Sequence, residues 1–397
     1  MTRAEETKDG VDGTVGRGTV DPQDYFVHTG RGTPAGHYLR MFWQPVSLSE
    51  DIHSGRARPI RVMSEDLTLY RGQTGAAHLL AFRCAHRGTQ LSTGWVEGDD
   101  LRCFYHGWKY DPTGQCVEQP AEPEPFCQRI KIRSYPIREY LGLIFAYLGQ
   151  GDPPPLPRFP VFEDDSLGAR DVDTYTWPCN YFNSLENDGY HNHWVHREFY
   201  LGGDRMAIPR LRCEETDYGI VTWAQRPEIS QQWELSSLFY MPNIIQFGVG
   251  EPIGGNPQYA IAWRVPVDDE RFVSFGVRMT HMSGDSRRQF EERQGARKAA
   301  AAKLTPHKVL GDAVLRGETR IEDIEDRHVD RSRLFHTQDY VAQVGQGAII
   351  DRSRDHLGGN DVQVTTLRHI FTRELRALAA GQPLKQWVTR SEAIGAW

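Results

Sequence analysis

Apolar and polar positions alternate in short runs before residue 150 and in longer runs after it. Residues 60–63, 67–70, 78–82 and 101–105 read as strands, being rich in aliphatic and aromatic side chains. Glu65-Asp66 and residues 72–75 supply turn chemistry between them. Residues 44–149 are therefore expected to form a small β unit whose loops carry its less regular stretches. Residues 151–160, GDPPPLPRFP, are a stiff connection and a natural boundary. Beyond it, residues 238–248, 259–267 and 272–282 predict long strands of an antiparallel sheet, and 289–304 and 365–380 predict helices. Residues 1–20 are rich in Gly, Thr and charge and predict a mobile tail, whereas residues 36–46 bring the first core-forming aromatics. The expected organisation is a tail and N-terminal segment over 1–40, a β domain over 41–155 and an α+β domain over 156–397.

Composition supports such cores, with 39% hydrophobic residues including 17 Phe, 16 Tyr and 10 Trp in 397. A net charge of −7 argues against nucleic acid as a partner. Mean hydropathy is −0.57. The most apolar stretch, residues 141–148, is far short of a membrane span. No secretory signal pattern stands at the N-terminus. Six cysteines are present. Cys116, Cys127, Cys179 and Cys213 are expected as free thiols in a reducing compartment, and the cytosol is the default location.

Two blocks change the picture. Cys84-Ala85-His86 and Cys103-Phe104-Tyr105-His106 are separated by 16 residues. Two thiolates and two imidazoles so arranged can hold a [2Fe–2S] cluster, the cysteines on one iron and the histidines on the other, at roughly −150 to +300 mV. A zinc site is the competing reading, but zinc modules usually pair like with like, C-x2–4-C and H-x3–5-H. Each half here mixes one Cys with one His and sits beside a glycine, Gly88 or Gly107, which lets backbone N–H groups approach sulfur. An electron carrier joined to about 240 further residues suggests that the rest of the chain uses the electrons.

Asp188-Gly189-Tyr190-His191-Asn192-His193-Trp194-Val195-His196 is the second informative stretch. Two imidazoles and a carboxylate with open positions make the facial triad of non-haem Fe(II) oxygenases. On a regular helix Asp188 and His191 lie roughly 60° apart and His191 and His196 roughly 140° apart. That separation suits one metal only on a distorted helix. Spacing alone does not choose between His193 and His196.

Taken together, these motifs resemble the Rieske non-haem iron oxygenases, specifically their large (alpha) catalytic subunit. The resemblance covers nearly all the chain after about residue 36. The family pattern C-x-H-x16–17-C-x2-H, then D-x2-H-x3–4-H, falls on Cys84, His86, Cys103, His106, Asp188, His191 and His196. By that alignment His193 is not a ligand. The resemblance implies a third iron ligand on a late helix packed beside the histidines, which matches Asp339 in Thr337-Gln338-Asp339; Asp351, Asp355 and Asp361 compete, with ion pairing to Arg352, Arg354 and Arg368 as their alternative role. It implies a fold of a small all-β Rieske domain plus an α+β, helix-grip-like catalytic domain around a central antiparallel sheet. It implies a homotrimer in which Asp188 bridges His191 and the His106 of an adjacent subunit, orienting both imidazoles. One departure is that Glu186-Asn187 abuts Asp188, where family members often insert two or more residues.

The implied reaction takes O2, two electrons and an aromatic substrate. No G-x-G-x-x-G stands between a strand and a helix, so a separate NAD(P)H reductase or ferredoxin is the implied electron source. NYFNSLEND and GQGAIIDRSRDHLGGND look like the phthalate-dioxygenase-like branch, and within it resemble 5,5'-dehydrodivanillate O-demethylases. O-demethylation of a methoxylated aromatic acid is the expected reaction, with ring hydroxylation of an aromatic carboxylate second. Arg210, Arg212 or Arg226 are candidate carboxylate anchors. A pure Rieske electron carrier and a zinc-stabilised binding protein are the readings from other classes.

Overall fold

The computed structural model describes residues 24–165, 168–188, 193–196, 209–227, 230–253, 256–325 and 330–388. The tail expected over residues 1–20 and the candidate ligand His191 lie outside them. Two short helices, α1 (Asp24–Val27) and α2 (Pro34–Arg40), lead into the first strands; Thr33 caps α2 by accepting from the Gly36 N–H.

Eleven strands then fill the region up to the Pro-rich connection. They are β1 (Trp43–Leu48), β2 (Arg56–Val62), β3 (Glu65–Arg71), β4 (Ala77–Ala81), β5 (Trp95–Glu97), β6 (Asp100–Arg102), β7 (Lys109–Tyr110), β8 (Cys116–Glu118), β9 (Ser134–Tyr135), β10 (Ile137–Tyr140) and β11 (Leu143–Tyr147). They form three antiparallel sheets: β1-β11-β10, β2-β3-β4-β9 and β5-β6-β7-β8. Two local expectations are corrected. Glu65-Asp66 belong to β3, and the turn is one step earlier at Met63 and Ser64, both at positive φ (49° and 63°). Two left-handed central residues match the twist of a two-residue hairpin. Met63 and Ser64 lack the usual Asn-Gly signal because tertiary contacts hold them: their N–H groups donate to Pro266 and Val267 carbonyls at 2.8 and 2.9 Å, and Arg40 caps the Met63 carbonyl. Likewise the run 101–105 is strand only to Arg102, and Cys103 starts a loop.

The remaining strands are β12 (Gly168–Trp177), β13 (Arg210–Glu215), β14 (Gly219–Gln225), β15 (Glu234–Tyr240), β16 (Ile244–Ile253), β17 (Asn256–Asp268) and β18 (Arg271–His281). They make one seven-stranded antiparallel sheet in the order β12-β18-β17-β16-β15-β14-β13. The expected strand over 238–248 is in fact two strands. Pro242 cannot donate to a ladder, and residues 241–243 turn the chain so that Tyr240 faces Ile244. Among the described residues five helices accompany this sheet: α3 (Tyr181–Leu185), α4 (Gly284–Ala301), α5 (His307–Leu315), α6 (Arg331–Gly345) and α7 (Val362–Ala379). This is an α+β fold with an all-β first part, as expected. α4 buries none of its residues and is tethered by polar contacts: Lys298 to Asp171, Arg287 to the Asp165 carbonyl, and Arg297 to Asp330 at 3.0 Å.

One apolar core runs through both regions. It joins Leu67, Leu69, Leu143 and Phe145 to Trp263, Phe275 and Ile370, with Phe145 edge-on to Trp263 at 5.5 Å. Gln44 on β1 and Asn243 in the β15–β16 turn exchange side-chain hydrogen bonds within it. A second, smaller core of Tyr70, Leu80, Leu91, Leu101, Trp108 and Tyr110 underlies the two Cys/His loops.

Candidate functional site

The Cys84 and Cys103 loops are built alike. In each, the glycine four residues on (Gly88, Gly107) donates its N–H to the Cys carbonyl, at 2.9 and 3.2 Å, and stands at φ +75°. In each, the Cys N–H donates to a carbonyl five residues on, Thr89 or Trp108, at 2.8 Å. The glycines therefore close the loops, because their φ is one that side-chain-bearing residues avoid. Both thiols are buried and unpaired by any disulfide. His86 and His106 lie with ring centroids 4.5 Å apart, and His86 stacks on Trp108 at 4.6 Å. The Nδ1 of His86 is buried with no hydrogen-bond partner, which leaves it as a ligand nitrogen. Among the described residues, the one group of three His, Cys, Asp or Glu ligand atoms within 4.8 Å of each other is His193, His196 and Asp339. Each loop offers one thiol and one imidazole, and the two imidazoles face each other with ring centroids 4.5 Å apart. Two thiolates and two imidazoles so paired fit a two-iron unit with the cysteines on one iron and the histidines on the other.

The sulfur environment holds a residue that sequence reasoning missed. The Tyr110 hydroxyl lies 3.2 Å from Cys84 Sγ and accepts from the Ala85 N–H at 3.1 Å. With that acceptor role filled, its own proton is free to reach sulfur. Burial raises the Cys84 thiol pKa, and Tyr110 opposes the rise. Phe104 and Tyr105, within the second loop, are more than half exposed.

At the second centre, α3 is followed by a 3-10 turn, Glu186–Asp188, and another, Trp194–His196, carries a fully buried histidine. The described backbone of Asp188 closes the first turn, while its side chain lies outside the described residues, as does His191. Buried Arg352 and half-buried Arg368 clamp Glu186, at 2.9 Å for Arg352. Asp339 projects from α6. His196 Nε2 faces Asp339 Oδ1 at 3.0 Å, and His196 Nδ1 meets Gln338 Oε1 at 2.9 Å. An amide oxygen only accepts, so Nδ1 donates to Gln338. Nε2 is left facing the Asp339 carboxylate, and an imidazole nitrogen beside a carboxylate, with His193 close by, is a donor set that fits a metal ion. Asn187 Nδ2 donates to the same Asp339 oxygen at 3.2 Å, and Phe335 stacks on the His196 ring at 3.9 Å. Burial pushes the Asp339 carboxyl up, but the His196 hydrogen bond and the neighbouring imidazoles leave it below the usual range. Burial lowers His193 to about 4, so its imidazole is neutral and available as a ligand.

His193, which the motif alignment sets aside, is thus brought beside His196 and Asp339. The competitors for the carboxylate position are not. Asp351 caps the turn at Ser353, Asp355 pairs with Arg368 at 2.6 Å, and Asp361 accepts from the Gly358 N–H at 2.6 Å. A cavity of about 410 Å³ opens beside Asp339, walled by Tyr175, Phe247, Ile261, Val277, Phe335 and His336. It shares Asp173, Gln258, Arg278 and Ser332 with an outer chamber of about 810 Å³ beneath α4. Arg210, Arg212 and Arg226 line neither chamber; Arg212 lies over the Trp223 and Trp233 rings at 4.5 and 5.4 Å.

Comparison with known proteins places this geometry. Residues 42–136 match the Rieske [2Fe-2S] domain. The chain is 32% identical over 386 residues to the phenoxybenzoate dioxygenase subunit alpha of Ectopseudomonas oleovorans, covering 92% of this chain and 87% of that one. It is 29% identical over 394 residues to the 5,5'-dehydrodivanillate O-demethylase oxygenase subunit of Sphingobium sp., covering 95% and 84%. The terminal oxygenase of carbazole 1,9a-dioxygenase from Nocardioides aromaticivorans shares the fold, with a TM-score of 0.62 at 16% identity over 89% and 97% of the two chains. The chain belongs to the Rieske-type aromatic oxygenases, as a large, oxygenase-component subunit. It is an oxidoreductase of the group that includes the dehydrodivanillate demethylase and phthalate dioxygenase subunits. That membership disposes of the electron-carrier and zinc-protein readings.

Proposed function

We propose that this oxygenase component removes the methyl group of a methoxylated aromatic acid. The observation that carries the reading is the Asp339–His196 pair opening onto an apolar cavity large enough for an aromatic ring. Cys84, His86, Cys103 and His106 hold the [2Fe–2S] cluster, and Asp339, His196 and a second imidazole hold the iron. The family spacing assigns that imidazole to His191, and the proximity of His193 to Asp339 supports the alternative. Bound there, the iron supplies O2 activation at its open positions. The chain's own part is to position and exclude: Gln338 holds the His196 ring, Asn187 holds the Asp339 carboxylate, and Phe335 and Tyr175 shield the cavity. Asp188 is the bridge through which a neighbouring subunit's cluster, in a homotrimer, addresses this iron. Electrons come from NAD(P)H through a separate reductase or ferredoxin, in the cytoplasm; a relative of the same fold is described as a reduced complex between oxygenase and ferredoxin in carbazole 1,9a-dioxygenase. The working division of the chain is a Rieske domain over 41–155 and a catalytic domain over 156–397.

In the reaction, one methyl C–H becomes C–OH while the other oxygen atom of O2 leaves as water with two electrons and two protons. The hemiacetal then collapses to a phenol and formaldehyde. The 29% relative named as an O-demethylase supports this outcome. The 32% relative named as a dioxygenase supports ring hydroxylation as the second reading. Turnover of vanillate and other methoxybenzoates with a surrogate reductase separates them. Formaldehyde released in step with O2 consumed is the expected result, and a ring-hydroxylated product without formaldehyde overturns demethylation.

A further inference from the structure

Two guanidinium groups line the cavity beside Asp339, and they differ in one respect. Arg278 is matched by carboxylates, with Nη2 2.6 Å from Asp173 and Nη1 3.7 Å from Asp171. Arg264 has no such match. It is half-buried on β17, opposite Ser274 on β18, and its Nη1 donates to the Ser274 hydroxyl. Its Nε is buried without a hydrogen-bond partner, and among the described residues Arg264 makes no ion pair. A guanidinium cannot shed its proton. Asp173 and Asp339 line the same cavity without pairing with Arg264, and leaving a buried guanidinium N–H unsatisfied is costly. The free edge is the Nε–Nη2 edge, which is the one this chain uses elsewhere to grip carboxylates side-on. Arg158 binds Glu163 that way at 2.7 and 2.8 Å, and Arg102 binds Glu97 at 2.7 and 2.8 Å. A planar fork matches a carboxylate with two parallel hydrogen bonds.

We propose that Arg264 is the specificity-determining residue of the cavity and receives the carboxylate of an aromatic acid through its Nε–Nη2 edge. Ser274 holds the remaining arm, so the fork is oriented before substrate arrives. The Tyr175 ring, 5.8 Å from the guanidinium carbon, closes one side. With the acid at Arg264, the ring spans the apolar wall toward Asp339. This assignment deepens the demethylase reading and rests on the cavity being its substrate site.

The test is calorimetric binding to the iron-loaded, cluster-loaded full chain, using vanillate, 3-phenoxybenzoate and phthalate, each against its neutral amide. A charge-assisted pair is worth about 1.5–3 kcal/mol, so at least one acid should bind about 10- to 100-fold tighter than its amide. Arg264→Gln should bring that acid to parity while the amide is unchanged, and Arg264→Lys should retain part of the preference. Equal binding of every acid and amide by the unaltered chain overturns the assignment, as does equal loss of both ligands in Arg264→Gln. Formaldehyde release reports on the reaction separately. Formaldehyde without an anion preference sinks only the Arg264 role, and an Arg264-dependent preference without formaldehyde sinks only demethylation.

Discussion

At the residue scale, the two centres differ in how far spacing alone reaches. The two Cys/His loops proposed to hold the cluster stood out in the sequence because both Cys and both His lie in short stretches, and the loop geometry follows from the glycine four residues after each cysteine. Tyr110 was not legible, since a tyrosine on a strand carries no mark of the thiol it faces. Its hydrogen bond favours electron density on sulfur and so raises the reduction potential. Tyr110→Phe removes about 1 kcal/mol of interaction, equivalent to about 40 mV for a one-electron couple. Protein-film voltammetry should find the variant lower by that order, and an unchanged potential would reject the contact. The histidine choice is harder, because the spacing from Asp188 to His196 fits one metal only on a distorted helix, and His191 lies outside the described residues. Metal analysis decides it. Asp339→Ala is expected to keep the cluster's two irons and lose the third, and so is His191→Ala, while His193→Ala keeps all three. Loss of the third iron only in His193→Ala would transfer the ligand role to His193.

At the element scale, the position of Asp339 depends on α6, and α6 depends on a close approach. Gly311 on α5 faces Tyr340, the residue after Asp339; a Cβ built there would stand 2.3 Å from the ring. Tyr340 also donates to Asp312 at 2.7 Å, which locks the pair of helices in one register. Gly311→Ala forces the ring or the helix aside at about 1–3 kcal/mol. The expected outcome is a lowered Tm with weakened retention of the mononuclear iron and an intact cluster spectrum. A variant that keeps full iron would show that α6 is held by other contacts. α5 was not foreseen, and α6 was expected only as the late helix that the resemblance implies around Asp339, because His, Gln and Gly interrupt their apolar spacing and the residues they bury are partly polar. The long strands β17 and β18 were foreseen because their alternation runs uninterrupted.

At the scale of the whole molecule, the Pro-rich boundary in the sequence and the physical core disagree. The connection at residues 151–160 separates sheets, yet the apolar core continues from Leu67 and Phe145 into Trp263 and Phe275. The Met63–Ser64 hairpin is also pinned by carbonyls of β17. Composition marks where a chain is stiff and polar, not which surfaces meet across it. Shared burial of this kind couples unfolding. Scanning calorimetry of the holo chain should give one transition carrying both the visible cluster signal and the far-ultraviolet signal. Two separated transitions would mean that the core is divided.

The same shared core bears on recombination among relatives. A chimera that exchanges residues 41–155 for the equivalent part of another oxygenase would set a foreign Phe145 surface against the native Trp263, and a foreign hairpin against Pro266 and Val267. Such grafts should fail unless β17 is exchanged with them. The two Cys/His loops sit on a separate small core, so they are the transplantable unit: the electron-transfer properties of one lineage can be moved into another by loop exchange, while substrate choice stays with the strand that both halves lean on.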